Sequence, residues 1–222
     1  YDSRQVRWED IVAVNVKGSL RLFEIARRAG VKKIIFISSI SAFENCRSLY
    51  GKAKLAVEKE AERFGAISVR PGLIYGPAMR GMCGALRKVA SASKLVPLVG
   101  NGRQVLYLGH EEDVSRLVLH LCSGGCSIRE PIVVACEKGK TFRQILKVLA
   151  SVDGKSPIFI PVPWRVIWGP LKGAELVGLQ LPFRSDSVVS LVSQDPSPSF
   201  AVVKRVGIQF REFRPEALVR SN

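Results

Sequence analysis

Three side chains stand at the spacing that proton transfer at a carbon–oxygen bond would use. Ser38-Ser39 ends the apolar run Lys32-Lys-Ile-Ile-Phe-Ile37, and Tyr50-Gly-Lys-Ala-Lys54 opens a helical pattern, with ten residues between Ser39 and Tyr50. On a helix, positions four apart share a face, so Tyr50 and Lys54 can approach one point. An unperturbed phenol, with a pKa near about 10, is a poor base at neutral pH, and an adjacent ammonium favours its phenolate. Ser39, at the carboxyl end of a buried strand, would lie where open α/β sheets bind ligands. Alone, Tyr-x-x-x-Lys also suits an amphipathic surface helix with a half-buried tyrosine. The succession strand, Ser-Ser, short loop, Tyr-x-x-x-Lys helix, strand, Arg70-Pro-Gly72 is much less easily met by chance.

Those residues need a helix–strand scaffold, and the hydrophobic periods supply one. Ile11, Val12, Leu20, Phe23 and Ala26 recur at helical spacing before Gly30, which predicts a helix from about Trp8 to Ala29. The run at residues 33–38 is too short for a helix and suits a strand buried on both faces. Leu49 to Phe64 reads as the next helix, stopped by Gly65, and Ala66 to Arg70 as the next strand. Glu112 to Cys122 and Pro131 to Ala135 repeat the alternation. Thr141-Phe-Arg-Gln144 is a capping box that starts another helix. Beyond Gly154 the pattern changes. Prolines between Pro157 and Pro170 interrupt it, and short helical stretches follow around 171–179, 185–193 and 200–206. The expected fold is α/β: a Rossmann-like parallel sheet with a smaller, mostly helical C-terminal substrate domain.

From Asn15-Val-Lys-Gly-Ser19 through Gly30-Val-Lys-Lys-Ile-Ile-Phe-Ile-Ser-Ser39, Tyr50-Gly-Lys-Ala-Lys54, Arg70-Pro-Gly-Leu-Ile-Tyr-Gly-Pro77, Gly100-Asn-Gly102 and His110-Glu-Glu-Asp-Val114, the chain resembles the extended short-chain dehydrogenase/reductases, the NAD-dependent epimerase/dehydratase family. The resemblance implies NAD or NADP as cofactor and hydride transfer at a hydroxyl or carbonyl carbon of a small-molecule substrate, sugar-like or otherwise, with a nucleotide sugar as one class. It makes Tyr50 the acid/base and Lys54 the ribose-binding residue, and has Ser39 orient the substrate. Ser38, Pro71 and Gly72 would then run near the nicotinamide, with Asn15 and Arg103 on the substrate side. The family's glycine-rich pyrophosphate fingerprint and the acidic residue after it are not in the sequence, so the chain is expected to hold the C-terminal half of the nucleotide-binding domain (1–137), its N-terminal half being absent. Residues 78–104 are expected to serve the substrate side and 138–222 to form the substrate-capping domain. Where nucleotide-sugar epimerases of the family carry an arginine four positions before the residue matching His110, this chain has Leu106. A homodimer is a further implication. The alternative is a non-catalytic interaction or scaffold protein that keeps the fold.

The 222 residues, 47% hydrophobic and 24% charged, exclude a disordered or collagen-like chain. No uncharged apolar run reaches about eighteen residues, which argues against a membrane span. The formal net charge of +15 favours anionic ligands, but the basic residues are spread along the chain and do not gather into a nucleic-acid groove. Five cysteines, an odd number at low density, read as reduced thiols and a cytoplasmic setting. His120, Cys122, Cys126 and Cys136 do not have the spacing of a zinc site, and no metal is expected. His110 reads as a structural hydrogen-bonding residue. Trp164, Trp168 and the segment 165–172 read as one face of a packed helix, in preference to a membrane surface or a pocket wall.

Overall fold

The computed structural model describes residues 7–78, 80–124, 128–179 and 181–218. The first helix is continuous but changes pitch: α1 (Trp8–Ile11), a π-helical turn (Val12–Lys17) that contains Asn15, then α2 (Gly18–Arg28). Strand β1 (Ile34–Ile37) follows, and α3 (Leu49–Ala61) leads through a 3-10 turn and the left-handed Gly65 into β2 (Ala66–Pro71). Next come β3 (Leu73–Tyr75), α4 (Gly81–Ala92), β4 (Leu95–Val99), β5 (Val105–Leu106), β6 (Leu108–His110) and α5 (Glu111–Ser123). The remainder is β7 (Ile132–Val134), β8 (Lys140–Thr141), α6 (Phe142–Ser151), β9 (Ile158–Val162), α7 (Trp164–Leu176), α8 (Ser185–Val192) and α9 (Ala201–Val206).

The central sheet is parallel, in the order β1-β2-β7, with Ile34 opposite Ala66 and Val69 opposite Ile132. Its ladder continues past the strand into the serine segment, because Ser38 N–H donates to the Val69 carbonyl at 2.7 Å and Ile40 N–H to the Pro71 carbonyl at 2.9 Å. The expected α/β architecture with parallel strands is therefore present. One layer of core joins α1, α2 and α3 to β1 through Phe23, Phe36, Val57 and Ala61. The opposite layer joins β2 and β7 to α5 and α9 through Val69, Leu117, Leu121 and Val203. A third core gathers α4, β4 and α6 around Leu86, Leu98, Phe142 and Leu146. The capping box at Thr141 and Gln144 forms as the sequence predicts, with Thr141 N–H donating to Gln144 Oε1 at 2.8 Å.

The proline-rich segment departs from expectation. Residues 158–162 form β9, paired in parallel with β4 over Leu95–Val99, and α7 runs on through Pro170. Pro97 and Pro161 are tolerated because among the described residues this sheet has two strands, so each has an open edge where no amide donor is needed. The missing amide of Pro170 costs α7 one internal hydrogen bond without ending the helix.

Among the described strands β1 pairs only with β2, which leaves its outer edge without a ladder. No helix among the described residues is long and apolar enough to cross a membrane. Cys126, one of the candidate zinc ligands, lies outside the described residues.

Candidate active site

The amino end of α3 is held by side chains from two parts of the chain. Ser48 is the N-cap, and its Oγ accepts from Gly51 N–H at 3.1 Å. Asp186, in the first turn of α8, accepts Leu49 N–H at 2.8 Å and Tyr50 N–H at 3.0 Å, one on each carboxylate oxygen. Three of the orphan amides of the helix start are thereby satisfied, and the carboxylate sits at the positive end of the helix dipole. A second link across the same gap joins Ser41 Oγ to Ser190 Oγ at 3.0 Å. Gly51 makes the packing possible, since a Cβ there would collide with the Ser41 carbonyl oxygen and lie 2.9 Å from Ser48 Oγ. The residue beside Tyr50 therefore lets the helix start press against the serine loop.

Lys54, one turn on, turns back toward the sheet. Its Nζ donates to the carbonyl oxygen of Ile37 at 2.7 Å and lies 4.8 Å from the Phe36 ring centroid and 5.8 Å from that of Tyr50. Burial pushes the Lys54 ammonium below the ordinary lysine value, and the carboxylate of Glu58 acts against it. The unfolded chain thus holds a proton that the folded chain sheds first, so over the pH window between the two values Lys54 makes stability rise with pH. Glu58 itself is clamped by Arg70, whose Nε and Nη2 reach its carboxylate at 2.9 and 2.5 Å and tie α3 to β2.

Beside these residues opens a cavity of about 920 Å³. Ser39, Tyr50 and Gly72 all line it, from the serine loop, the start of α3 and the end of β2. Tyr50 remains 42% exposed, and Ser39 Oγ accepts from Ser41 N–H at 3.2 Å. Ser38 is buried, with its Oγ lacking a hydrogen-bond partner among the described residues. Pro71 pairs with Val134 at the end of β2. The backbone of Gly72 packs where a Cβ would strike the Tyr107 carbonyl oxygen. Lys54, Ser38, Pro71, Asn15 and Arg103 are not among the lining residues. Asn15 lies in the π-helical turn, where its carbonyl accepts from Ser19 Oγ at 2.7 Å, and Arg103 is exposed in a turn where its own N–H donates to Asn101 Oδ1 at 3.0 Å.

Several lining residues have no signal in the sequence motifs. Trp168 and Lys172, expected in a packed helix face, form part of the wall, as do Asp186 and Ser190. An acidic residue near a helix start was visible at position 186, but nothing local told which helix it would cap. His110 caps α5, with its Nδ1 accepting from Glu112 N–H at 3.3 Å, and is 2% exposed, which suits a structural role. We expect Asp186→Ala to lower stability by about 1–2 kcal/mol, the range for losing a strong cap, with Asp186→Asn in between; urea unfolding monitored by circular dichroism measures both.

No curated protein matches the chain, but solved structures do. It is similar to a UDP-glucose 4-epimerase with UDP-glucose from Thermotoga maritima at 27% identity and a TM-score of 0.58, covering 70% of this chain and 58% of that one. It is also similar to the Thermus thermophilus UDP-glucose 4-epimerase complex with NAD, at 21% identity and a TM-score of 0.63, covering 93% of this chain and 68% of that one. MoeE5 in complex with UDP-glucuronic acid and NAD aligns at 19% identity and a TM-score of 0.67, over 96% of this chain and 71% of that one. These likenesses agree with the parallel β1-β2-β7 sheet, and the sequence itself fits a family model across residues 1–134, more than half of its length. On that match the chain belongs to the NAD dependent epimerase/dehydratase family.

Proposed function

We propose that this chain carries the proton-transfer and substrate-holding part of an NAD- or NADP-dependent oxidoreductase, epimerase or dehydratase acting at a hydroxyl or carbonyl carbon. The observation that supports the reading is that Ser39, beyond the carboxyl end of β1, and Tyr50, at the start of α3, line the same cavity, with the Lys54 ammonium 5.8 Å from the Tyr50 ring. Tyr50 gives or takes the proton at the substrate oxygen through its phenol. Ser39 holds that oxygen by a hydrogen bond, so the reacting carbon is presented in one orientation. Lys54 keeps positive charge near the phenol and so favours its ionised form.

The residues present fit the nicotinamide-ribose end of the cofactor. Ser38 Oγ is a buried hydroxyl still without a partner among the described residues, and an ammonium has three donors, of which Lys54 spends one on Ile37. When bound, the nicotinamide supplies the two-electron hydride acceptor or donor. The described residues offer no glycine-rich strand-to-helix turn for the pyrophosphate. We therefore expect nicotinamide mononucleotide and NAD to bind these 222 residues with affinities within about threefold of each other, because the adenosine half adds little without such a turn. Calorimetry with both ligands checks this, and NAD binding a hundredfold more tightly would contradict it.

The deciding experiment is hydride transfer between reduced dinucleotide in excess and a panel of nucleotide-sugar and ketone substrates, run on the wild-type chain and on Tyr50→Phe. Turnover that Tyr50→Phe abolishes supports the reading, and an unimpaired variant or an inert wild type overturns it. The depressed Lys54 ammonium adds a pH signature. The basic limb of kcat/KM should begin below the ordinary lysine value of 10.5 and move upward in Lys54→Arg, whose guanidinium stays charged.

A further inference from the structure

The cavity walls carry an inference about the substrate. Beyond Ser39 and Tyr50 the lining runs inward over apolar side chains of the third core, among them Leu86, Val99, Leu106, Phe142, Leu146 and Trp168. Five charged residues line it: Arg47, Lys172, Glu175, Arg184 and Asp186. Four of these are already committed to partners within the protein. Asp186 caps α3 through two amides. Glu175 accepts from Ser185 N–H at 2.7 Å and Ser185 Oγ at 2.9 Å, and it pairs with Lys172 at 3.7 Å and Arg184 at 3.8 Å. Arg47, exposed in the loop between Ser39 and Tyr50, makes no ion pair among the described residues.

A diphosphate brings two negative charges into this space, whereas the charged lining among the described residues, three cations against two carboxylates with Lys172 and Arg184 sharing Glu175, offers a net charge of only +1 to meet them. Taking an unmatched charge out of water costs several kcal/mol, of order 5 or more, whereas apolar surface gains on entering such walls. The size is that of a small-molecule site, since pockets for ligands of this kind run from about 300 to 1,000 Å³. We propose that the substrate of this site is a lipophilic secondary alcohol or its ketone, with its oxygen at Ser39 and Tyr50 and its carbon skeleton along the apolar walls. The proposal rests on the function proposed above and narrows its substrate class.

The test is binding, read without cofactor and independently of turnover. The 222-residue chain is titrated with 2-pentanone, 2-heptanone, 2-nonanone and 2-undecanone, and separately with UDP-glucose, following tryptophan fluorescence, to which Trp168 in the wall contributes. Each added methylene should tighten binding about fourfold, the factor that corresponds to burying one CH₂, and UDP-glucose should bind more weakly than 2-undecanone. Val189→Asp places a carboxylate on the α8 wall and should weaken 2-undecanone binding at least tenfold while the chain remains folded by circular dichroism. Flat affinities along the series, tighter binding of UDP-glucose, or an unaffected folded Val189→Asp would each overturn the proposal. Should that variant not fold, the chain-length series on the wild type decides alone. A flat series alongside Tyr50-dependent turnover of a nucleotide sugar removes only the substrate class. A steep series in a chain that turns nothing over removes only the chemistry.

Discussion

Tyr50→Phe is expected to lower kcat by about 10²–10⁴-fold, the range contributed by a positioned acid or base, while dinucleotide affinity changes less than about twofold. The substitution removes one oxygen and keeps the ring. The contacts that fix the start of α3 are made by backbone amides, Leu49 and Tyr50 to Asp186 and Gly51 to Ser48, so the helix keeps its position. Lys54 also keeps its bond to the Ile37 carbonyl, and with it the donors a ribose would use. Because Tyr50 is 42% exposed, the melting temperature should shift by no more than about 2 °C, as for a surface change worth under about 0.5 kcal/mol. Steady-state kinetics with calorimetry of dinucleotide binding separates the two effects. A parallel loss of cofactor affinity would make Tyr50 a binding residue, and full turnover would remove it from the chemistry.

How much of this was legible in the sequence follows from the range of the interactions. The strand at 34–37, the helix from Leu49, the strand from Ala66 and the Thr141 capping box rest on periodicity and on side chains a few residues apart, and each is present. Tyr50 and Lys54 were readable for the same reason, since one helical turn joins them. The pairing of β4 with β9 was not, because residues 95–99 and 158–162 are far apart in sequence with α6 between them, and the prolines in both strands argue locally for loops. Asp186 illustrates the limit at the site. Its carboxylate acts on amides 137 and 136 positions away, so no window of sequence contains both partners. The apolar character of the cavity is similarly spread over six helices, α1, α3, α4, α6, α7 and α8, and visible only once they are packed together. Leu106, read from sequence as a departure from the nucleotide-sugar enzymes of the family, lies in that wall.

Substitutions at the Asp113–Arg211 pair should show an asymmetry. Asp113, in the first turn of α5, is fully buried, whereas the Arg211 side chain is 41% exposed. Arg211 reaches the carboxylate with its backbone N–H at 2.9 Å, Nε at 3.1 Å and Nη2 at 2.8 Å, and its Nη1 bonds Glu112 at 2.9 Å. Arg116 is the other charged partner of Asp113. This pairing holds the C-terminal segment over β3, where Phe213 packs edge-on against Tyr75 with ring centroids 4.9 Å apart and the Arg211 carbonyl accepts from Tyr75 Oη at 3.3 Å. Removing the arginine side chain takes three hydrogen bonds from a carboxylate that cannot reach water and leaves it only Arg116 and the backbone N–H of position 211. Removing the carboxylate leaves a guanidinium that is partly in water and still paired with Glu112. Arg211→Ala is therefore expected to cost about 3 kcal/mol, the low end for breaking a buried ion pair, because Arg116 still faces the charge left behind. Asp113→Asn, which keeps the shape and loses charge-assisted hydrogen bonds, should cost about 1.5–3 kcal/mol. The double variant should be more stable than the sum of the two losses predicts, because Asn at position 113 no longer requires a cation. Urea unfolding of the wild type and the three variants completes the cycle. Equal costs for the two single variants, or simple additivity in the double, would show that the C-terminal segment is held by its apolar packing around Tyr75 and Phe213 and that the charge pair contributes little.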